Sequence, residues 1–167
     1  MRKETRKIVR LGVVAAIYAT LTIALGAISY GPIQFRIAEV MTLLPLIGKE
    51  YIIALTIGCF LSNVVGGFGL PDIIFGTLAT FISVYLVYLT GKTMKDKPGY
   101  VLIASLWPTI VNAIIIGGVV LHLFIGLPLI LSILQVGFGQ FVVITIIGVP
   151  LFKILNNKYL KLPKDIY

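Results

Sequence analysis

Apolar residues run in long blocks along this chain, and polar residues collect in the breaks between them. The blocks cover residues 11–29, 51–65, 73–90, 100–120 and 129–155, with a shorter one at 40–47. Turn residues mark the breaks: Gly66, Gly67, Gly69 and Pro71, then Pro98 and Gly99, then Gly126 and Pro128. About 20 residues of α-helix cross the hydrocarbon core of a bilayer, so the long blocks predict transmembrane helices. As an α-helix, the segment 39–47 would cover roughly 14 Å, about half a core. It is read as a short helix shielded by its neighbours. The expectation is one all-α integral membrane domain over 1–167. Its six spans fall at about 8–29, 39–47, 51–65, 72–90, 100–120 and 129–155.

Composition removes the alternatives. Hydrophobic residues make up 59% of the 167 and charged residues 12%, with a mean hydropathy of +1.07. Soluble domains run at about 45–50% apolar and about 25% charged. A soluble fold of this size would leave much apolar side chain in water, and a disordered chain would be far more polar. The basic start followed by an apolar run is also how a signal peptide begins. Residues 11–29, however, outlast the about 7–15 apolar residues of such a peptide, so this run is read as a retained first span.

Charge sets the expected topology. The net charge is +8, from 14 Lys and Arg against 6 Asp and Glu. Five basic residues precede the first span, Lys49 stands alone, Lys92, Lys95 and Lys97 share one loop, and Lys153, Lys158, Lys161 and Lys164 close the chain. With six spans, all of these fall on one side and only Arg36 on the other. Merging 39–65 into one span would put most of them outside and leave Lys49 and Glu50 in the membrane. The positive-inside rule therefore favours six spans with both termini cytoplasmic, in the cell membrane. The basic residues lie between apolar runs rather than along one exposed face, so nucleic acid is not an expected partner.

The opposite side holds the charged residues Arg36, Glu39 and Asp72, and the uncharged polar residues lean the same way. Asn63 closes the third span, Asn112 lies in the outer half of the fifth, Gln135 and Gln140 follow in the sixth, and Gln34 is in the first loop. Polar groups within a span are costly unless paired, and they commonly face the bundle interior. Each has a plainer reading: hydrogen-bond glue for Asn112, Gln135 and Gln140, a helix cap for Asp72, a surface end for Asn63, and a local ion pair for Arg36 with Glu39. Together they suggest a polar pocket opening outward. Phe35, Phe68 and Trp107 are candidates to stack on a flat ligand, with an interfacial aromatic belt as the alternative. Tyr30 is placed at the interface. Pro108 is positioned to kink the fifth span. His122 reads as an incidental loop histidine, and Cys59 as a small buried side chain.

Small residues mark the cytoplasmic half of the first span. Ala15 and Ala19 share one side, and Gly12, Ala16 and Thr20 form an adjoining stripe. Such spacing permits close helix approach, either within the chain or to a partner. The sequence has no Walker A loop, no His/Cys cluster with metal-ligand spacing, no nucleophile–base constellation and no obvious inverted repeat. An enzyme is not expected.

Two strings carry a family resemblance. Residues 31–39, Gly-Pro-Ile-Gln-Phe-Arg-Ile-Ala-Glu, continue to Leu43, Leu44 and Pro45; residues 72–80 read Asp-Ile-Ile-Phe-Gly-Thr-Leu-Ala-Thr. Both resemble the QueT family of queuosine-precursor transporters, and the likeness covers nearly the whole chain. That family is grouped with the substrate-binding S components of energy-coupling factor (ECF) transporters. The resemblance implies an S-component-like bundle that captures a 7-deazaguanine, either the 7-cyano or 7-aminomethyl form or queuine. The implied partners are a transmembrane coupling subunit and two cytoplasmic ATPases; ATP is used there, and this chain needs no cofactor. Docking through the alanine spacing Ala15-x-x-x-Ala19, with Gly12 and Ala16 beside it, is also implied. A guanine-like edge offers adjacent N–H donors to a carboxylate and a carbonyl to Asn, Gln or Arg. The expected ligand residues are Glu39, Asp72, Asn112, Gln135, Asn63 and Arg36, with Trp107 or Phe35 stacking. An S component for another flat vitamin and a stand-alone secondary carrier are the alternatives.

Overall fold

The computed structural model describes residues Lys3–Asn156. Arg2, Lys158, Lys161 and Lys164, which entered the charge argument, lie outside the described residues. Helices form an all-helical membrane bundle, with no strand among the described residues. Helix α1 covers Lys3–Ala24, and a single turn follows at Gly26–Ser29. A 3-10 helix spans Ile37–Leu46. Then come α2 at Tyr51–Val65, α3 at Asp72–Met94, α4 at Tyr100–Phe124 and α5 at Leu129–Leu155. Helices α1, α3, α4 and α5 are long and apolar enough to cross a membrane; the 3-10 helix and α2 are shorter apolar helices.

The winding differs from uniform α-helix. The 3-10 segment starts at Ile37, before the expected 39, and contains Pro45. At about 2.0 Å per residue its ten residues reach roughly 20 Å, further than the same residues would as α-helix. Tight winding thus partly compensates for a short segment. Wider π-type winding occurs at Asp72–Gly76, Ala113–Phe124 and Phe141–Gly148. The first lies at the start of α3, beside the buried charges described below.

Side-chain pairs fix the chain directions. Arg10 meets Glu50 and Tyr30 meets Ser62, so α1 and α2 run the same way. The 3-10 helix returns the chain between them. Asn63 meets the backbone of Asp72, and Cys59 meets Thr80, so α2 and α3 are antiparallel. Trp107 meets Thr90, and Ser105 meets Thr145, giving the same alternation through α4 and α5. Arg10, Lys49, Lys92 and Lys153 therefore share one end of the bundle, while Arg36 and Asp72 share the other.

The interior is layered along this axis. Leu43, Leu46, Val87, Ala104, Val143 and Phe152 pack together towards the basic end. Tyr18, Leu55, Cys59 and Val84 fill the space between α1, α2 and α3, and Ile116, Val120 and Val136 pack with Ala79. Ile53, Leu102, Leu134 and Phe138 are among many large apolar side chains on the outer surface. That surface suits hydrocarbon rather than water.

Candidate functional site

Arg36 organises the end away from the basic residues. It follows a tight backbone turn in which Gln34 takes a left-handed φ of +53°, a conformation uncommon outside glycine. The turn directs Arg36 inwards, where it is 3% exposed. Arg36 Nη2 lies 3.0 Å from Asp72 Oδ2, and its Nε donates to the Ser29 carbonyl at 3.4 Å. Its guanidinium sits 5.4 Å from the centre of the Tyr30 ring. Burial is the largest single influence on Arg36 and opposes its charge, but Asp72 and, to a smaller extent, Cys59, Tyr18 and Glu39 together outweigh it and hold the pKa above its ordinary value. Burial also pushes the Tyr30 phenol upwards, so it remains a donor to the Ser62 carbonyl at 2.6 Å.

Asp72 is fully buried at the start of α3. Asn63 Nδ2 donates to its backbone carbonyl at 3.0 Å. Glycine makes room around it: a Cβ on Gly67 would collide with Asp72 Oδ2, and one on Gly76 would lie 2.7 Å from Asn63 Nδ2. Cys59 is more than a filler. Its sulfur accepts from Thr80 Oγ1 at 3.1 Å and Asn63 Nδ2 at 3.4 Å, and donates to the Gly76 carbonyl at 3.7 Å.

Glu39 lies one turn beyond Arg36, its backbone N–H bonded to the Arg36 carbonyl at 2.9 Å. The two do not form the local ion pair that their spacing allowed. Arg36 pairs with Asp72, and Glu39 Oε1 accepts from the Tyr18 hydroxyl at 2.5 Å. On the other side of Arg36, Asn112 Nδ2 donates to Gln140 Oε1 at 3.2 Å, and Gln140 Nε2 reaches the Gln34 carbonyl at 3.5 Å. The backbone of this strap sits close on α5: the Ile33 carbonyl occupies the position a Cβ on Gly139 would need.

Several buried polar atoms in these groups have no partner among the described residues. They are Glu39 Oε2, Asp72 Oδ1, Asn63 Oδ1, Gln34 Nε2 and Ser29 Oγ. An unpaired buried polar group costs about 1–3 kcal/mol, so concentrating them here is expensive for stability alone. Three are acceptors on carboxylates or an amide, and Gln34 Nε2 is a donor.

Other expectations fare differently. Arg36, Glu39, Asp72 and Asn63 come together, and Asn112 joins them through Gln140 and Gln34. Gln135 is half-buried and makes no hydrogen bond to the cluster among the described residues. It lies five residues before Gln140, which turns it roughly 140° away around the helix. Phe35 is half-buried and packs edge-on against Phe138, with ring centres 6.3 Å apart. Phe68 packs beside the Ile116 and Val136 layer. Trp107 does not reach this end. Its indole N–H is spent on Thr90 Oγ1 at 2.9 Å, and its ring packs on the Leu43 and Phe152 layer. Tyr18 was missed; a phenol inside an apolar span needs a buried partner, and that was the available signal.

The alanine pair on α1 also points elsewhere than docking requires. Ala15 and Ala19 are 6% and 7% exposed. They face α2 near Gly58, where an added Cβ would lie 2.9 Å from the Ala15 carbonyl. Their small size is used inside the bundle. Gly12, Ala16 and Thr20 are exposed. A shallow surface groove of about 380 Å³ runs beside them, lined by Val13, Ala16, Ile17, Thr20 and Leu21.

These features define a multi-pass helical membrane protein with a buried polar site near one end of its bundle. The chain belongs to the QueT transporter family, whose profile matches residues 8–157. The queuosine precursor transporter QueT of Lactococcus lactis subsp. cremoris (strain MG1363) is 42% identical over 97 residues. That alignment covers 57% of this chain and 57% of the relative, so it spans a little over half of each. No solved structure matches the chain.

Proposed function

We propose that this protein is the substrate-binding membrane subunit of an ECF-type transporter and captures a queuosine precursor. Membership of the QueT transporter family supports the transport role, and the name of the Lactococcus relative supports the ligand class. The observation that carries the site assignment is the set of unpartnered buried atoms around Arg36. Among the described residues, Glu39 Oε2 and Asp72 Oδ1 are free acceptors, and Gln34 Nε2 is a free donor. A guanine-type edge presents adjacent N–H donors beside a carbonyl, the complementary pattern.

In this reading the ligand is a 7-deazaguanine: the 7-cyano or 7-aminomethyl compound, or queuine. A carboxylate of Glu39 or Asp72 accepts from the N–H edge, and Gln34 donates to the carbonyl. Arg36 holds Asp72 in place, and Phe35 lies alongside the ring. No bond to the ligand is made or broken. The basic end of the bundle faces the cytoplasm, and the polar site faces outwards across the cell membrane. The loaded subunit meets its transmembrane coupling partner through the exposed face of α1 at Gly12 and Ala16, and two cytoplasmic ATPases supply the energy.

Calorimetry on the purified protein tests the ligand. Saturable binding of 7-cyano- or 7-aminomethyl-7-deazaguanine or of queuine, without binding of riboflavin or thiamin, is the expected result. Binding of a vitamin alone would contradict the assignment. Uptake by this chain alone in liposomes would replace the ECF reading with a stand-alone carrier.

A further inference from the structure

The basic end of the bundle carries a second feature, far from the polar site. A groove of about 430 Å³ opens there, lined by Lys7, Lys49, Ile53, Phe81, Tyr85 and Tyr88, with Glu50 beside them. Its composition changes along its length. Lys7 on α1 and Lys49 in the turn before α2 form the charged mouth. Phe81, Tyr85 and Tyr88 recur on one side of α3 at helical spacing, and the seven-residue step from Phe81 to Tyr88 covers roughly 10 Å. Ile53 is 64% exposed, and Phe81 and Tyr85 are each 46% exposed, on the surface that meets hydrocarbon. The Phe81 and Tyr85 rings are stacked, with centres 6.4 Å apart.

The charges at the mouth do not cancel. Glu50 is paired with Arg10 at 3.3 Å, and Arg10 also lies over the Tyr51 ring. Neither Lys7 nor Lys49 has an acidic partner among the described residues. The site therefore presents two uncommitted cations at the interfacial end of an apolar, aromatic wall. That is the polarity of a phospholipid: an anionic headgroup at the membrane surface and a chain running inwards. A soluble phosphate would use the lysines and leave the wall bare, and a zwitterionic lipid would gain little from two cations.

We propose that this groove binds one anionic phospholipid, with its phosphate against Lys7 and Lys49 and an acyl chain along Ile53, Phe81 and Tyr85. The inference rests on the membrane fold and not on the identity of the transported ligand. Basic side chains near a bilayer surface each strengthen binding of acidic lipid by about fivefold.

Native mass spectrometry of the detergent-purified protein tests this, with phosphatidylglycerol and phosphatidylcholine of matched chains as probes. The unsubstituted protein should retain one phosphatidylglycerol in preference to phosphatidylcholine. The Lys7→Gln/Lys49→Gln double variant should lower phosphatidylglycerol retention by at least about fivefold and leave phosphatidylcholine unchanged. Ile53→Trp, which fills the groove but keeps both lysines, should also lower it. A Lys92→Gln/Lys153→Gln variant, which removes two basic residues outside the groove, should have little effect. Equal retention of the two lipids would overturn the proposal, as would equal losses in the two double variants. Thermal protection by inorganic phosphate equal to that by phosphatidylglycerol would also overturn it, assigning the mouth to a soluble anion.

Discussion

Arg36 and Asp72 form a buried ion pair, 3.0 Å between Nη2 and Oδ2, that ties the strap before the 3-10 helix to the first turn of α3. The partners are 36 residues apart in sequence. Both have left solvent, so each is the other's compensating charge. Removing one partner strands a buried charge and should destabilise the protein by about 3–5 kcal/mol, whereas a matched apolar pair should cost much less. Reversible unfolding in detergent should therefore rank Arg36→Met and Asp72→Leu each below the Arg36→Met/Asp72→Leu double variant. A double variant less stable than both singles would show that the pair itself contributes the stability.

Tyr18 and Glu39 give a second, separable prediction. Tyr18→Phe removes the only hydrogen bond seen to the Glu39 carboxylate among the described residues. Stability should fall by about 1–3 kcal/mol. Glu39→Gln keeps the shape but turns one acceptor into a donor. If Glu39 meets the ligand's N–H edge, affinity should fall by roughly tenfold or more. Unchanged affinity in a folded Glu39→Gln protein would move the acceptor role to Asp72.

Gly139 tests the strap. The Ile33 carbonyl fills the space of its missing Cβ, so Gly139→Ala must push the strap off α5 and shift Gln34 and Arg36 with it. Ligand affinity should drop in a protein that still folds. Gly12→Ala is the contrasting change, because none of the described residues lies within 4 Å of an added Cβ there. It should leave affinity alone and stabilise the protein by up to about 1 kcal/mol, since alanine is the better helix former.

The two faces of α1 can be separated in the same way. Ala19→Trp places a large ring against α2 and should prevent correct folding. Ala16→Trp faces outwards beside the surface groove, so ligand binding should survive while assembly with a coupling subunit and cellular uptake are lost. Uptake unaffected by Ala16→Trp would remove this face from the docking proposal.

How much of this could be read from the chain differs from element to element. The bundle was legible because block length and charge position are one-dimensional: Lys49 and Lys92 fall at one end whatever the helices do in detail. The clustering of Arg36, Glu39, Asp72 and Asn63 followed from the same reasoning, since all lie near the less charged end. Direction around a helix was not legible. In helices that are apolar nearly all round, no polar face reveals which side looks inwards. Hence Ala15 and Ala19 could not be told from Gly12 and Ala16, nor Gln140 from Gln135. Trp107 failed for a related reason: its place on α4, seven residues from Tyr100, already set it in the basic half, but its chemistry suggested stacking. The choice of Asp72 over Glu39 by Arg36 depends on the left-handed turn at Gln34, which a non-glycine residue does not announce.

In the proposed site, the unpaired buried acceptors and the Gln34 donor recognise a guanine edge. The direct measurement is calorimetric titration of the purified protein with 7-cyano-7-deazaguanine and with the matched 7-cyano-7-deazaadenine, whose edge has donor and acceptor reversed. Mispaired buried hydrogen bonds discriminate by at least about a hundredfold. Saturable binding of the deazaguanine and a loss of that size for the deazaadenine are expected; equal affinity for the two would contradict recognition of a guanine edge.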